Sequence, residues 1–138
     1  MVTPKMDASL LTLLKTCLYV GIGGGLGANA RYLIDSWLTQ RLADNFPYGT
    51  TFVNITGSFL FGLLITLFTE HYLVMDHRLR MMIFVGFLGS YTTFSTFEYE
   101  TFQLATSVGC LIALLNVGFS VCAGFAALWF GIWLARLL

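Results

Sequence analysis

The sequence predicts an all-α membrane protein of four transmembrane helices, the third of them broken near the midplane. Three observations predict it. Hydrophobic residues make up 57% of the 138 residues and charged residues only 10%, against about 25% charged in a typical soluble domain; mean hydropathy is +0.80. The charges are clustered, leaving 16–30, 46–69, 81–97 and 101–135 without Asp, Glu, Lys or Arg. The third of these stretches is also dense in glycine and hydroxyl residues. A hydrocarbon core about 30 Å thick takes about 20 helical residues, so the four stretches mean four spans. A soluble helical core would need polar faces at helical spacing, and these stretches lack them. The length allows one domain, 1–138.

The first helix is expected over about 10–40, with Ser9 as its N-cap. No small-residue cleavage site follows the short polar stretch before it, so it reads as a retained helix and not a removed signal peptide. Within it, Gly21, Gly23, Gly25 and Gly27 form two overlapping GxxxG pairs, Gly21/Gly25 and Gly23/Gly27. Small residues at that spacing let helix backbones approach closely in lipid. The same letters fit a relaxed GxGxxA nucleotide fingerprint with Asp44 downstream, but no strand precedes them and no βαβ unit can be built.

A turn at 43–49, marked by Pro47 and Gly49, leads to a second helix over about 50–70. Asn54, Thr50 and Ser58 lie on it at four-residue spacing, a polar stripe. A polar connection at 71–77 ends at Arg78 and Arg80. The third span is expected over 79–107 and the fourth over 108–138, where Asn116 and Ser120 form another polar stripe. Cys17, Cys110 and Cys122 lie in apolar spans and read as small buried hydrophobes. Zero net charge gives no reason to expect a nucleic-acid partner.

The third span carries the chemistry. Five of the seven residues from Ser90 to Thr96 are Ser or Thr, and Tyr91 is a sixth hydroxyl. Gly86 and Gly89 permit an interruption, and hydroxyl side chains can satisfy the backbone groups it frees. Irregular backbone at membrane depth survives only where it is buried in protein or lines a cavity. Ordinary Ser/Thr hydrogen bonding between helices is the simpler alternative. Polar stripes on three spans, without a buried carboxylate, lysine or histidine, favour a neutral conduit. Phe94 and Phe97 lie three residues apart among Ser95 and Thr96. Aromatic ring edges are positive, so they suit a small anion that must also be released.

The run Gly89–Phe97, GSYTTFSTF, closely resembles the broken third helix of the Fluc fluoride channels, also called the CrcB family. Arg31-Tyr32 after the glycine-rich first helix, and Pro47-Tyr48-Gly49-Thr50 leading to Val53-Asn54, agree with it. The resemblance extends from about Gly21 to the end. It implies an antiparallel dimer with two fluoride pores along the subunit interfaces, in the bacterial inner membrane. Asn54, Phe94, Ser95, Thr96, Phe97, Asn116 and Ser120 then match pore positions. Asn116 departs from the tyrosine or histidine often found there. Gly89 and Thr92 match positions whose backbone carbonyls hold a structural sodium ion, and Arg31 and Glu100 match vestibule positions.

Lys5, Lys15, Arg78, Arg80 and Arg136 share one side of the membrane, against Arg41 and Arg31 on the other, which favours cytoplasmic termini. Pairing with an oppositely oriented paralogue is the alternative to a homodimer. The homodimer is preferred, because this one chain carries both phenylalanines and the sodium-site residues. The resemblance thus implies passive fluoride export. The rivals are a small multidrug-type proton antiporter, which would need a carboxylate at the centre of a span, and a non-conducting membrane subunit. An enzyme is not expected, since no nucleophile–base set or metal cluster appears.

Overall fold

The computed structural model of the chain describes residues 8–42, 46–70 and 75–138. Every regular element among them is helical: α1 (Ala8–Arg41), α2 (Tyr48–Glu70), α3 (His77–Met81), a π-helical segment (Met82–Leu88), α4 (Gly89–Tyr91), α5 (Phe94–Ser107) and α6 (Cys110–Ala135). Three helices are long and apolar enough to cross a membrane: Ser9–Arg41, Tyr48–Glu70 and Cys110–Ala135. The tip of the 43–49 turn, Asp44, most of the 71–77 connection and Lys5 lie outside the described residues.

α1 has 34 residues, about 51 Å at about 1.5 Å each, so it outruns the hydrocarbon core. Ser9 lies inside it and does not cap it. Of the two expected GxxxG pairs only one is used within the subunit. A Cβ at Gly23 or Gly27 would collide with the carbonyl oxygens of Met82 and Phe87, whereas Gly21 and Gly25 face open space. Gly86 answers from the other side, where a Cβ would meet Val20 O at 2.6 Å. This backbone-to-backbone contact seats the π-helical segment on α1.

α2 and α6 run side by side. A Cβ at Gly62 would strike the Leu128 carbonyl, and one at Gly131 the Phe59 carbonyl. Phe59 also stacks on Phe130 at 5.9 Å. At the ends of these two helices Arg136 grips Glu70 through Nε (2.9 Å) and Nη2 (2.8 Å). That hydrogen bond, and then the carboxylate charge, raise Arg136 above its ordinary value.

The third span breaks inside the expected run Gly89–Phe97, though not at its glycines. Gly86 lies in the π-helical segment and Gly89 is helical, with φ −65° and ψ −29°. The chain opens instead at Thr92 (φ −79°, ψ 155°) and Thr93 (φ −147°, ψ 126°). β-Branched side chains favour extended backbone, and hydroxyls compete for backbone partners. The glycines serve contact with α1 or stay helical. The expected single stretch 79–107 is thus a composite of four short pieces. Between α5 and α6 the chain turns at Gly109, whose φ of 137° is a conformation that suits glycine. The fourth helix accordingly starts at Cys110, later than expected.

The buried interior is narrow, with Val53, Leu88, Tyr91, Phe97 and Leu104 among its larger apolar members. Many large apolar side chains face outward along α1, α5 and α6, as lipid or a partner subunit would require. Cys17, Cys110 and Cys122 are among the outward-facing residues. They are not buried, contrary to expectation: their faces of α1 and α6 have no helix of the same subunit over them.

Candidate functional site

The break at Thr92–Thr93 frees backbone groups, and side chains capture several of them. The Asn54 carboxamide accepts from Thr93 N–H at 2.9 Å and donates to Thr93 C=O at 3.0 Å. Thr93 Oγ1 accepts from Thr96 N–H at 3.3 Å, capping α5, and donates to Thr96 Oγ1 at 2.9 Å. Leu88 C=O accepts from both Thr92 N–H and Thr92 Oγ1, each at 3.1 Å. Ser58 Oγ donates to Asn54 C=O at 2.8 Å. The stripe on α2 therefore faces the break.

Two carbonyls lose their usual donors in this exchange. In a continuous helix Thr93 N–H would bond Gly89 C=O, and Thr96 N–H would bond Thr92 C=O. Asn54 and Thr93 Oγ1 take those two N–H groups instead. Gly89, on an exposed part of the chain, has no side chain to screen its carbonyl. Neutral carbonyl oxygens are a donor type that suits a hard cation.

A groove of about 340 Å³ opens at the break, lined by Asn54, Ser58, Gly89, Thr92, Thr93 and Phe94, with apolar neighbours such as Phe61 and Phe84. Among the described residues, no Asp, Glu, Lys, Arg or His lines it. Phe94 is 71% exposed at its mouth. Phe97 is 8% exposed, although the two ring centroids are 6.2 Å apart with planes at 41°. The pair is therefore close but divided, one ring outward and one inward. Ser95 is exposed beside Phe94.

A second, smaller cavity of about 150 Å³ lies against the other side of the break, lined by Ala28, Arg31, Tyr32, Asp35, Thr50, Thr93 and Thr96. Glu100 lies near Thr50. Its Oε2 and Arg31 Nε are buried without a hydrogen-bond partner among the described residues. Thr93 lines both spaces. Asn116 and Ser120 line neither space. Asn116 is 0% exposed and donates to Thr101 Oγ1 at 2.8 Å, and Ser120 Oγ donates to Asn116 Oδ1 at 3.4 Å.

Eight of the residues expected at the site fall in three places within one subunit, while Ser95, Phe97 and Glu100 line neither space. Asn54, Gly89, Thr92 and Phe94 share the groove; Arg31 and Thr96 share the smaller cavity; Asn116 and Ser120 pack inside against α5. Sequence reasoning missed Thr93, Asp35 and Thr101. A hydroxyl three residues ahead of Thr96 is an N-cap signal that marks Thr93. Nothing in the spacing marks Thr101 as the partner of Asn116.

A family profile described as "CrcB-like protein, Camphor Resistance (CrcB)" matches residues 18–132. The fluoride-specific ion channel FluC of Solibacter usitatus is 48% identical over 120 residues, covering 86% of this chain and 97% of that one. FluC of Acidobacterium capsulatum is 46% identical over 114 residues, 83% and 90% of the two chains. FluC of Geotalea uraniireducens is 42% identical over 125 residues, 91% and 100%. These relatives are channels and not enzymes. With a profile match over most of its length and relatives of this identity aligned nearly end to end, the chain belongs to the CrcB family, also called Fluc.

Proposed function

We propose that the chain is a passive fluoride-selective channel that exports fluoride from the cytoplasm. The observation that carries the proposal is the groove at the helix break, edged by a phenyl ring, hydroxyls and a carboxamide, with no titratable side chain among the described residues that line it. Its relatives bear the name of such a channel. A charged ligand such as lysine would hold fluoride too tightly for rapid exit, whereas neutral donors and ring edges permit both entry and release.

Four spans and an antiparallel homodimer complete the path. The exposed Phe94 of one subunit reaches the partner, and the pore follows the interface past Asn54, Ser95, Thr96 and Phe97. Asn116 and Ser120 contribute hydroxyl and amide dipoles along α6. Arg31 and Glu100 form the vestibule. The Gly89 and Thr92 carbonyls of the two subunits hold a sodium ion, which supplies a fixed positive charge at the dimer centre. The protein resides in a bacterial inner membrane. There it drains fluoride that enters as the neutral acid and dissociates in the less acidic cytoplasm.

Purified protein in liposomes, followed with a fluoride electrode, tests the proposal. Fluoride efflux without matching chloride efflux is the expected result. No efflux, or equal efflux of both ions, overturns it. Crosslinking of the same sample reports whether the chain pairs with itself.

A further inference from the structure

The break is fastened to α2 on both of its sides, and only one fastening belongs to the groove. After the break, Asn54 holds Thr93 by two hydrogen bonds. Before it, the Tyr91 hydroxyl meets Thr56 Oγ1 at 2.9 Å. Tyr91 is 4% exposed, and its ring stacks on Phe87 at 5.8 Å with planes 7° apart. Between the two fastenings Gly57 leaves the space that Thr92 fills, since a Cβ there would collide with Thr92 Cγ2 and stand 3.2 Å from Tyr91 Cδ1. Residues 54–57 of α2 therefore form a cradle for residues 91–93. Neither Tyr91 nor Thr56 lines the groove.

We propose that Tyr91 and Thr56 are positioning residues: their hydroxyl pair fixes the near side of the break on α2 and thereby sets where Phe94 stands at the groove mouth. A backbone that leaves the helix for only two residues has few torsions with which to absorb a shift. Fixing Tyr91 and Thr93 against one short piece of α2 leaves Thr92 little freedom, and Phe94 follows directly. Thr56 Oγ1 also lies 2.8 Å from Phe52 C=O. It donates to that carbonyl and accepts from Tyr91, so losing either hydroxyl breaks a polarised chain.

The role rests on the fluoride-channel proposal for its transport readout, and a second readout stands without it. Thr56→Val and Tyr91→Phe remove one hydroxyl each while nearly preserving shape. Thr56→Ser keeps the hydroxyl. In liposomes, the first two are expected to slow fluoride efflux about threefold to twentyfold, the range covered by one interhelical hydrogen bond within a membrane. Thr56→Ser is expected to stay within about twofold of the parent, and the double variant to fall no further than the slower single one. In parallel, 4-fluorophenylalanine placed at position 94 gives a 19F resonance. That resonance is expected to shift in Tyr91→Phe and Thr56→Val and to return in Thr56→Ser. An unmoved resonance and unchanged efflux in both hydroxyl-less variants overturn the positioning role. A parent without fluoride efflux overturns the channel proposal alone, because the resonance still reports the clamp. If Tyr91→Phe does not fold, the Thr56→Val and Thr56→Ser pair decides the outcome.

Discussion

Replacing Asn54 by alanine removes the group that holds the far side of the break. Its carboxamide makes two bonds to Thr93, at 2.9 and 3.0 Å. Interhelical hydrogen bonds within membranes average about 0.6 kcal/mol and reach about 1.7 kcal/mol. Two of them give about 1–3 kcal/mol, or about fivefold to 150-fold in an equilibrium constant. The freed Thr93 N–H then has an alternative partner, the Gly89 carbonyl, and accepting it would extend the first half of the broken element by one residue. The groove would lose its carboxamide wall and the Gly89 carbonyl its freedom at once. Asn54→Ala is therefore expected to lower the midpoint of thermal unfolding in detergent and to cut fluoride efflux from liposomes at least fivefold. Asn54→Gln carries the same groups one methylene further out and is expected to recover only part of either loss. Efflux and midpoint both unchanged in Asn54→Ala would refute the reasoning, since the break would then hold itself without α2.

Two further outcomes follow from close packing. Gly23→Ala drives a methyl group into the Met82 carbonyl and is expected to cost about 1–3 kcal/mol, whereas Gly21→Ala meets open space within the subunit and is expected to leave monomer folding unchanged; a paired thermal-unfolding comparison checks the difference. Asn116→Ala leaves Thr101 Oγ1 without its donor inside the subunit and is expected to cost about 1–3 kcal/mol, read as a lower unfolding midpoint; an unaltered midpoint contradicts the buried placement of that side chain.

The helical class and three of the spans were legible because long charge-free stretches leave the backbone one way to satisfy itself in lipid. α1 and α2 lie within about two residues of their expected ends. The break was legible as lying within Gly89–Phe97, but not the two residues at which the helix opens. Glycine signals a place where the chain is permitted to bend, whereas Thr92 and Thr93 bend because Asn54, 39 residues away, draws off an amide. That partner lies on another helix and leaves no local trace. The π-helical segment had no signal either; its Gly86 packs against the α1 backbone, a contact that sequence spacing does not reveal. The cysteines were misplaced for a related reason: an apolar residue in a span faces lipid or protein according to the neighbouring helices, and composition does not distinguish the two. Asn54 and Phe94 were found together at one groove, while the interior position of Asn116 depends on how α6 turns back at Gly109.

In an unbroken helix one inserted or deleted residue rotates everything downstream by about 100°. The two extended residues at Thr92–Thr93 interrupt that inheritance. The portion before them takes its rotational phase from α1, and α5 takes its phase from Asn54 at Thr93. The π-helical segment, with its wider turn, can therefore accommodate a change in length without swinging Phe94 or Phe97 around the α5 axis. The seam makes the two halves of this span independent in register, so the lining that follows the break can be conserved while the packing that precedes it varies.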